Sequence, residues 1–428
     1  MAEPSDPLVQ RLNRLHPKLI DLSLGRIERL LARLDYPQRA LPATIHVAGT
    51  NGKGSTIAFL RAMAEAARLK VQVYSSPHLV RFNERIRLGN GIIENEALEA
   101  LLDECEAANG EAPITFFEIT TALALLAFSR EPADLVLLET GLGGKNDATN
   151  VISHPLAAVL TPISRDHENF LGSEIAGITS EKAAIMKPGA LCISAIQPPA
   201  ASPIIADYAK QLGAELHLED RDFRTRPGPD GMTYDWGGGQ MHLPTPALDG
   251  AHQIQNAGLA LATLRALPAL KVDEKAQARG LITAAWPARL QRLSKGPLAR
   301  QLPDGWELWL DGGHNAAAGE ALAAQAGSWA DKPVFCIFAI LTSKDPKAFL
   351  SPLAPHLAGL KAVPIPDEEA GSPAPAAAEA AAELGIKADT CDIVSQAVQE
   401  IIGTSERPGR ILICGSLYLA GHVLAENG

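Results

Sequence analysis

The sequence feature that most constrains the fold is a glycine-rich loop that separates a short apolar segment from a helical one. Residues 46–56 read HVAGTNGKGST, overlapping the buried-strand pattern TIHVA of residues 44–48 and leading into a helical pattern over residues 55–69. A second strand pattern follows at residues 71–75. A strand, a loop, a helix and a further strand in this order form the unit from which helix-covered parallel sheets are built. The loop therefore predicts an α/β fold.

Three further apolar runs of strand length extend this pattern, at residues 135–139, 157–160 and 191–194. With helical segments between them, they predict one doubly wound domain with a mainly parallel sheet. Residues 214–248 differ, because their segments are short, polar and rich in turn residues. We expect this region to form a small antiparallel insertion or a small sheet on the edge of the domain.

Helical patterns flank these strand patterns on both sides. Apolar residues recur at helical spacing over residues 8–35, where Pro17 is expected to divide the stretch into two helices. Another helix is predicted over residues 252–267, where Pro268 marks its end. These segments supply helices before and after the predicted sheet of the first domain.

A second α/β pattern begins near residue 290 and indicates a second domain. Helical segments again separate its strand patterns. The sequence thus predicts a larger N-terminal domain over residues 1–290 and a smaller, Rossmann-like α/β domain over residues 291–428. The strand patterns of the second domain are residues 306–310, 334–340, 360–363 and 411–414.

Composition excludes several classes of protein. Hydrophobic residues make up 46% of the 428 residues, which is enough apolar surface for a folded chain. The net charge of −11 argues against a general nucleic-acid binder, although a local site can still bind an anion. The five cysteines are far apart and form no CxxC pair, as is typical of reduced thiols in a cytosol. With no leader pattern, no apolar run long enough for a membrane and no heptad run, we expect a cytoplasmic monomer with no membrane partner.

The glycine-rich loop has the residue types that bind a phosphate group. Its glycines permit unusual backbone angles and a close approach, and the following helix directs its positive end at an anion. Lys53 supplies a cation, and Ser55 supplies a hydroxyl for the phosphates or their metal ion. The common GxxxxGK[ST] pattern is not matched, since Val47 occupies its first position and Gly54 follows the lysine, so an ordinary glycine-rich turn is the alternative. The predicted phosphate contacts are Gly49, Thr50, Asn51, Gly52, Lys53, Gly54 and Ser55.

The segment GTNGKGS resembles the phosphate loop of the Mur ligase superfamily, in its folylpolyglutamate synthase branch. Eight later segments also resemble that family and occur in its order, so the resemblance covers nearly the whole chain. The early segment IDLSLGRIERL is more similar to the bifunctional dihydrofolate synthase/folylpolyglutamate synthase type than to the monofunctional one. The resemblance implies a P-loop-type Mur ligase ATPase domain followed by the Rossmann-like domain. The eight segments are SSPHLVRFNERI, ETGLGGKNDATN, SRDHENFLG, SEKAAIMKPG, GAHQIQNA, WPARLQ, DGGHN and CGSLYLAG.

The activity that the resemblance implies is ATP-dependent amide formation. The γ-phosphoryl group of ATP is first transferred to a carboxylate, and the amine of L-glutamate then attacks the acyl phosphate. The acid is expected to be 7,8-dihydropteroate or the γ-carboxylate of a reduced folate, with a monofunctional folylpolyglutamate synthase as the alternative. A ligase for a UDP-linked cell-wall precursor is disfavoured, because only 48 residues precede Gly49 and SSPHLVRFNERI argues against it. A nucleotide-binding regulator without ligase activity is disfavoured by four intact residues, Lys53, Glu139, His167 and Asp311.

Two polar residues lie where parallel strands are predicted to end. Glu139 closes the strand LVLLE before a glycine loop, and His167 follows the next predicted strand. A solvated acid and an ordinary histidine are the alternatives. The resemblance implies that Ser76, Glu139 and His167 bind Mg²⁺, with a second monovalent or divalent cation as a further cofactor. It also implies a carbamylated Lys182, for which an ordinary surface lysine is the alternative.

The resemblance assigns three further residues to the nucleotide, Asn256, Arg289 and Asp311. Arg289 has the fork of donors that suits phosphate oxygens. Asp311 and His314 follow a predicted strand of the second domain, where the alternative is a helix N-cap that Asn315 can supply alone. Since the predicted ligands divide between two domains, we expect domain closure to complete the site and exclude water. The predicted catalytic residues are Lys53, Lys182, Asp311 and His314.

The pterin-bearing acceptor needs a flat apolar slot with a few polar contacts. Phe117, in TFFEITTA, is the predicted stacking group, with core packing as the alternative. The two arginines of SSPHLVRFNERI are expected to receive substrate carboxylates. The predicted acceptor contacts are Asp21, Arg81, Arg85, Phe117 and Ala148.

Two segments depart from the family pattern. Lys145 and Asn146 follow the paired glycines where the family has Arg-Leu, so a bidentate contact from this position is not supported. The segment DGGHNA stands where the family has DGAHNP. The loss of the proline is expected to loosen this turn.

Overall fold

The computed structural model describes residues 11–12 and 21–427. Within these residues the chain forms two compact units. The first contains the described residues up to Ala247 together with Gln253–Ala285. The second contains Leu248–His252 and the described residues from Trp286 onward. The sequence analysis placed a single division after residue 290.

The main sheet of the first unit has eight strands. They are β1 (Ala43–Ala48), β2 (Val71–Tyr74), β3 (Ile86–Leu88), β4 (Gly91–Ile92), β5 (Leu135–Glu139), β6 (Ala157–Leu160), β7 (Leu191–Ser194) and β8 (Glu215–Leu218). The order across the sheet is β4-β3-β2-β5-β1-β6-β7-β8, in which only the β2–β3 and β3–β4 pairs are antiparallel. Val47 on β1 pairs with Glu139 on one side and Val159 on the other, so β1 is a central strand. The predicted mainly parallel sheet is confirmed.

Helices pack around this sheet and give the first unit its cores. Leu31, Leu102 and Leu123 lie in one buried cluster with Tyr74 and Leu138, so α1, α3 and α4 pack with β2 and β5. A second cluster joins β6 and β7 to α6 and α7. These elements are α1 (Gly25–Arg33), α2 (Lys53–Ala66), α3 (Asn95–Asn109), α4 (Phe116–Arg130), α5 (Glu168–Leu171), α6 (Ile175–Ala183), α7 (Ser202–Leu212), α8 (His252–Ala266) and α9 (Glu274–Thr283).

The first predicted helical stretch is only partly within the described residues. Arg11 and Leu12 are helical, and α1 covers Gly25–Arg33. The expected division at Pro17 lies outside the described residues. The helix predicted over residues 252–267 is observed as α8.

The prediction for residues 214–248 was wrong at its beginning. Glu215–Leu218 (β8) is a parallel edge strand of the main sheet, paired with β7. Its side chains are exposed or half-buried, because an edge strand has a neighbour on one side only, so the segment looks as polar as a surface hairpin. The expected antiparallel sheet follows it and has three strands. They are β9 (Phe223–Gly228), β10 (Gly231–Trp236) and β11 (Gly239–Pro244).

The second unit is a smaller α/β sheet, as predicted. Its strands are β12 (Gln291–Arg292), β13 (Glu307–Leu310), β14 (Val334–Phe338), β15 (Leu357–Ala362), β16 (Ala388–Thr390) and β17 (Arg410–Cys414). The order is β12-β13-β17-β14-β15-β16, and every pair except β12–β13 is parallel. Its helices are α10 (Gly296–Ala299), α11 (Ala316–Ser328), α12 (Pro346–Leu350), α13 (Ala374–Glu383), α14 (Val394–Thr404) and α15 (Leu417–Asn427).

Two global expectations can be compared with this architecture. All five cysteines are buried free thiols, in agreement with the prediction that they form no disulfide framework. Across residues 11–12 and 21–427, none of the helices has the length and apolar character needed to cross a membrane.

Candidate active site

The loop between β1 and α2 is shaped by two glycines at which the backbone approaches other groups closely. Gly49 has a φ of +146°, and a Cβ there would lie 1.8 Å from the hydroxyl oxygen of Thr161. Gly52 has a φ of +89°, and a Cβ there would lie 2.4 Å from Oδ1 of Asn256. Neither position accepts a side chain without displacing its neighbour. The close approach to Gly52 also places Asn256, a predicted nucleotide contact, against the loop.

The loop is held by hydrogen bonds from the backbone and the side chain of Thr50 to the segment that follows β6. The Thr50 N–H donates to the Pro162 carbonyl at 3.0 Å. The Thr50 hydroxyl donates to the Ser164 carbonyl and accepts from the Ser164 N–H, both at 3.0 Å. Helix α2 begins at Lys53, and its N-cap Gly52 supplies no side-chain acceptor. A helix N-terminus without a side-chain cap is suited to an anion, because its first N–H groups lack partners within the helix.

Two lysines donate to the same carbonyl of this loop. Nζ of Lys53 lies 3.3 Å from the Gly49 oxygen and 3.2 Å from the Thr50 oxygen, and Nζ of Lys182 lies 2.9 Å from the Gly49 oxygen. Lys182 is only 4% exposed, so the surface-lysine alternative is wrong. Burial, and next the nearby Lys53 cation, lower the pKa of Lys182 to about 7. Three carboxylates partly oppose that shift, those of Asp166, Asp147 and Glu181.

The predicted metal ligands lie at the carboxyl ends of three strands. Glu139 ends β5 and is buried, and it accepts from the Ser76 N–H at 3.2 Å, so the structure brings these two residues together. His167 lies in the segment after β6 and has a φ of +53°. Its Nε2 lies 4.0 Å from Oδ2 of Asp166. Among the described residues, no group of three or more His, Cys, Asp or Glu side chains is arranged to hold a metal ion. The ligand set of Ser76, Glu139 and His167 stays a prediction.

Phe117 lies against the glycine loop that follows β5. A Cβ at Gly141 would be 2.4 Å from Cζ of the Phe117 ring, so the ring rests directly on that backbone. The centroid of the Tyr74 ring lies 6.0 Å from that of Phe117. Phe117 itself is half-buried. The ring therefore packs on one side and keeps part of its surface open, which combines the two alternatives raised by the sequence.

The start of the described chain is connected to the helix that carries Phe117. Nη1 of Arg26 donates to Oδ2 of Asp21, and its Nε donates to Glu118, each at 2.9 Å. Glu118 is buried on α4, where it also closes a capping box with Thr115. Asp21 is thus held near the predicted acceptor contact Phe117. The sequence analysis did not identify Arg26 as the connecting residue.

The arginines of SSPHLVRFNERI have different environments. Arg81 is exposed, whereas Arg85 is buried and lies 5.1 Å from the centroid of the Phe116 ring. Nε of Arg85 donates to Nδ1 of His78 at 2.8 Å. Burial and the Arg85 cation lower the pKa of His78 to about 3, so this imidazole is neutral. Arg81 is therefore the more accessible of the two cations for a substrate carboxylate.

Asp147 organises the glycine loop after β5, and the sequence analysis did not single it out. It is buried, and its carboxylate accepts from the N–H groups of Gly141, Leu142 and Thr149 at 3.0, 2.8 and 3.0 Å. The Thr149 hydroxyl also donates to it. One sequence pattern could have indicated this role. An Asp after a glycine loop often accepts a hydrogen bond from the backbone N–H two residues later, which here belongs to Thr149. Ala148 lies buried between them.

Lys145, which stands where the family has arginine, contributes to this region through its backbone. It is exposed, and its N–H donates to the Glu181 carbonyl at 2.8 Å. The glycine loop is therefore joined to α6, the helix that carries Lys182, through the backbone of Lys145. This connection does not depend on the side chain that differs from the family pattern.

In the second unit, Asp311 organises the turn after β13. Its two carboxylate oxygens accept from the N–H groups of Leu290 and Gly313, at 2.8 and 2.7 Å. Leu290 follows Arg289 directly, so Asp311 fixes the backbone that carries this arginine. Burial lowers the pKa of His252, which lies close enough to Asp311 and Arg289 to feel both charges. The sequence analysis did not include His252 in the site.

The turn after Asp311 contains the helix N-cap that the sequence analysis gave as the alternative. Oδ1 of Asn315 accepts from the Ala318 N–H at 3.0 Å and caps α11. Nδ1 of His314 lies 3.3 Å from the Gly312 oxygen. Ala316 stands at the first helical position, where the family has proline. The Asn315 cap therefore defines this turn without the proline.

Comparison with known proteins gives a consistent result. A family model described as the Mur ligase middle domain matches residues 47–264. The chain is 34% identical to the dihydrofolate synthase/folylpolyglutamate synthase of Escherichia coli K12, over 99% of this chain and 95% of that protein. Against the folylpolyglutamate synthase of Lacticaseibacillus casei the identity is 31%, over 93% and 92% of the two chains.

Solved structures show the same similarity. Escherichia coli FolC in complex with DHPP and ADP superimposes with a TM-score of 0.88 and 33% identity, covering 98% of this chain and 96% of that one. The bifunctional folylpolyglutamate synthase/dihydrofolate synthase of Yersinia pestis, complexed with AMPPNP and a Mn ion, has a TM-score of 0.86 and 31% identity, covering 98% and 97%.

Proposed function

The chain belongs to the Mur ligase superfamily, in its dihydrofolate synthase/folylpolyglutamate synthase branch, and on that premise we propose that it joins L-glutamate to 7,8-dihydropteroate and to the γ-carboxylate of reduced folates at the expense of ATP. The observation that carries the proposal is the position of Lys53 at the uncapped start of α2, where its Nζ lies 3.3 Å from the Gly49 oxygen. A cation at a helix N-terminus forms a site for a polyphosphate.

The reaction proceeds in two steps that divide one difficult substitution. A carboxylate oxygen of the acceptor attacks the γ-phosphorus of ATP, which breaks the bond to the β,γ-bridging oxygen and releases ADP. The glutamate amine then attacks the acyl carbon, loses a proton and displaces inorganic phosphate. The amide is the product. Catalysis of both steps depends on placing the reactants and on stabilising negative charge, because no protein nucleophile takes part.

The residues of the phosphate loop have distinct tasks in this scheme. The N–H groups of the first turn of α2 bind phosphate oxygens, and Lys53 stabilises the charge that moves during phosphoryl transfer. Gly49 and Gly52 let the backbone approach the nucleotide. Asn256, which already contacts Gly52, lies where a nucleotide on this loop would be within its reach.

Mg²⁺ is the proposed metal ion, and the donor set fits a hard cation. Glu139 is a buried carboxylate at the carboxyl edge of the sheet, beside the Ser76 backbone, and Ser76 and His167 add a hydroxyl and an imidazole. When bound, the ion would neutralise phosphate charge. A second cation would be held in the same neighbourhood, where Asp166 supplies a further carboxylate.

Lys182 is proposed to carry a carbamate. Carbon dioxide reacts with a neutral amine: the nitrogen forms a bond to carbon and releases a proton. With its pKa lowered to about 7, roughly half of the Lys182 amines are neutral at pH 7, compared with a very small fraction for an exposed lysine. The carbamate is an anion, so it would replace the repulsion between Lys182 and Lys53 by attraction.

The second unit supplies the remaining proposed residues. Asp311 supports the backbone next to Arg289, whose guanidinium is proposed to bind phosphate oxygens. His314, in the turn that follows Asp311, is proposed to be a catalytic residue. Variants of Arg289 and His314, assayed for the KM of ATP, test these two assignments.

The substrate experiment decides between the bifunctional and monofunctional alternatives. Purified protein is supplied with ATP, Mg²⁺ and L-glutamate, together with either 7,8-dihydropteroate or a reduced folate, and phosphate release is measured. We expect release with each acceptor and only a background without one. Release with the folate alone would restrict the activity to polyglutamylation. No acceptor-dependent release in either arm would contradict the proposed function.

A further inference from the structure

We propose that His46 is a positioning residue for the acceptor site, which acts through Thr149 and Asp147 on the loop that supports Phe117. The inference rests on the proposed function, since it concerns the acceptor that this function names. Its central observation is a continuous chain of hydrogen bonds that begins on the strand before the phosphate loop and ends at the glycine loop after β5. We call the set His46, Thr149 and Asp147 the acceptor relay.

His46 is an unusual residue for its position. It lies on β1, the central strand, where its backbone partners are Leu138 on β5 and Ala158 on β6, and it is fully buried. Buried central strands are normally continuous runs of apolar residues, because a polar group there needs a partner. Nε2 of His46 has such a partner in Thr149, at 2.8 Å. Nδ1 has none within the part of the chain that the structure describes.

The proton positions follow from the partners. The Asp147 carboxylate accepts from three backbone N–H groups and from the Thr149 hydroxyl. The Thr149 hydroxyl has a single proton and gives it to Asp147, so its oxygen must accept from His46. His46 therefore carries its proton on Nε2. Burial lowers the pKa of His46 to about 3, which keeps this imidazole neutral at every pH at which the protein is assayed.

The relay ends on the residues predicted to contact the acceptor. Oδ2 of Asp147 fixes the N–H groups of Gly141 and Leu142, and the Gly141 backbone lies directly against the Phe117 ring. Ala148, another predicted acceptor contact, is the residue after Asp147. A carboxylate that rotated away would release the support of the ring and displace Ala148. The imidazole fixes that carboxylate through Thr149.

The hydrogen bonds that hold the phosphate loop do not include the relay, although His46 is close to this loop in sequence. Thr50 is held by Pro162 and Ser164, and the Gly49 carbonyl is held by the two lysines. The relay and the phosphate loop are thus held by separate sets of hydrogen bonds. Loss of the relay should affect binding of the acceptor and leave binding of ATP unchanged.

Two pairs of variants test the relay, with steady-state KM values measured separately for 7,8-dihydropteroate and ATP. Thr149→Val removes the hydroxyl at nearly constant volume, and Thr149→Ser keeps it. His46→Leu removes the donor, and His46→Gln keeps an amide N–H near the position of Nε2. Thr263→Val is the control, because it removes another buried hydroxyl, one that donates to a carbonyl within α8.

We expect Thr149→Val and His46→Leu each to raise the KM for dihydropteroate about tenfold, with the KM for ATP within about twofold of the wild type. Thr149→Ser and His46→Gln should restore most of the affinity. The double variant His46→Leu/Thr149→Val should raise the KM for dihydropteroate no more than the single variant with the larger effect. Both substitutions interrupt the same chain of hydrogen bonds.

The relay would be refuted if both KM values changed together, or if the variants lowered only the melting temperature. Equal KM values for Thr149→Val and Thr263→Val would also refute it. Because Thr149 lies outside the sheet, its pair of variants decides the question even if His46→Leu does not fold. If the wild-type protein uses only the reduced folate, the same KM comparison is made with that acceptor. A wild-type protein that used neither acceptor would instead contradict the proposed function, so the two failures are distinguishable.

Discussion

The loop after β1 and the loop after β5 are both rich in glycine and both follow central strands of one parallel sheet, yet they are held in opposite ways. The phosphate loop has two lysines directed at its carbonyl oxygens and an uncapped helix N-terminus. The glycine loop has the N–H groups of Gly141 and Leu142 occupied by the buried carboxylate of Asp147. In the first loop, positive groups remain for a ligand. In the second, they are used internally.

This difference teaches what each loop can bind. A loop with cations and uncapped N–H groups selects a polyanion such as the ATP triphosphate. The loop after β5, whose Gly141 and Leu142 N–H groups are already occupied, offers its backbone surface and the ring that rests on it. Such a surface suits the flat face of a pterin. The hydrogen bonds of the two loops, rather than their glycine content, therefore distinguish the proposed nucleotide loop from the proposed acceptor loop.

The largest effect is expected when the cation of the phosphate loop is removed. Lys53→Ala should lower turnover by about 10²–10³, the usual consequence of losing a donor that stabilises the transition state. The exposed Lys210→Ala is the matched control. Acceptor-dependent phosphate release measures both. Unchanged turnover in Lys53→Ala would show that the loop takes no part in the mechanism. The proposed difference between the two loops would then be wrong.

A smaller effect is expected on the acceptor side. Asp147→Asn places an amide N–H₂ against groups that donate, so some of the four hydrogen bonds are lost and the free energy of unfolding should fall by about 1–3 kcal/mol. The KM for dihydropteroate should rise while the KM for ATP stays near the wild-type value. Urea unfolding and steady-state kinetics measure the two consequences. A rise in the KM for ATP alone would reverse the assignment of the two loops.

A third test concerns the proposed metal ligand Glu139, which lies at the end of β5 immediately before the glycine loop. Glu139→Gln keeps the shape of the side chain and removes its charge, so half-maximal activity should require several times more Mg²⁺. The exposed Glu99→Gln serves as the control for loss of a carboxylate. A titration with Mg²⁺ at fixed ATP gives the answer. Wild-type metal dependence in Glu139→Gln would exclude it as a ligand.

A final effect concerns Lys182 and pH. Because the pKa of Lys182 is about 7 in the folded protein and about 10 in an unfolded chain, the unfolded state binds more protons between these values. Stability should therefore rise with pH in this range, by up to about 1.4 kcal/mol per pH unit from this residue. Lys182→Met should flatten the rise. Urea unfolding from pH 7 to pH 9, without bicarbonate, measures it, and parallel curves for both proteins would contradict a lowered pKa.

Much of the fold could be predicted because its central strands are short apolar runs. The strands Leu135–Glu139, Ala157–Leu160 and Leu191–Ser194 were predicted with their observed bounds. Their side chains are almost entirely buried, so the sequence records the environment directly. The edge strand Glu215–Leu218 is half in solvent, and its polar side chains resemble those of a surface turn.

The site was only partly predictable, for a different physical reason. The residues of the phosphate loop are consecutive, so their spacing reveals them. Lys182 and His46 act through residues about a hundred positions away in the sequence, namely Gly49 and Thr149. Nothing local distinguishes a buried lysine from a surface one, or a histidine that donates to a distant hydroxyl from one that does not. The resemblance to the ligase family named Lys182, but the structure was needed to show its burial.

The central claim is that ATP activates a carboxylate of the acceptor, and an isotope experiment tests it most directly. Dihydropteroate labelled with ¹⁸O in its carboxylate is converted with ATP and L-glutamate, and the released phosphate is analysed by mass spectrometry. Transfer of the γ-phosphoryl group to that carboxylate predicts one ¹⁸O atom in each phosphate formed with product. Phosphate without label, in a reaction that still forms the amide, would contradict the account.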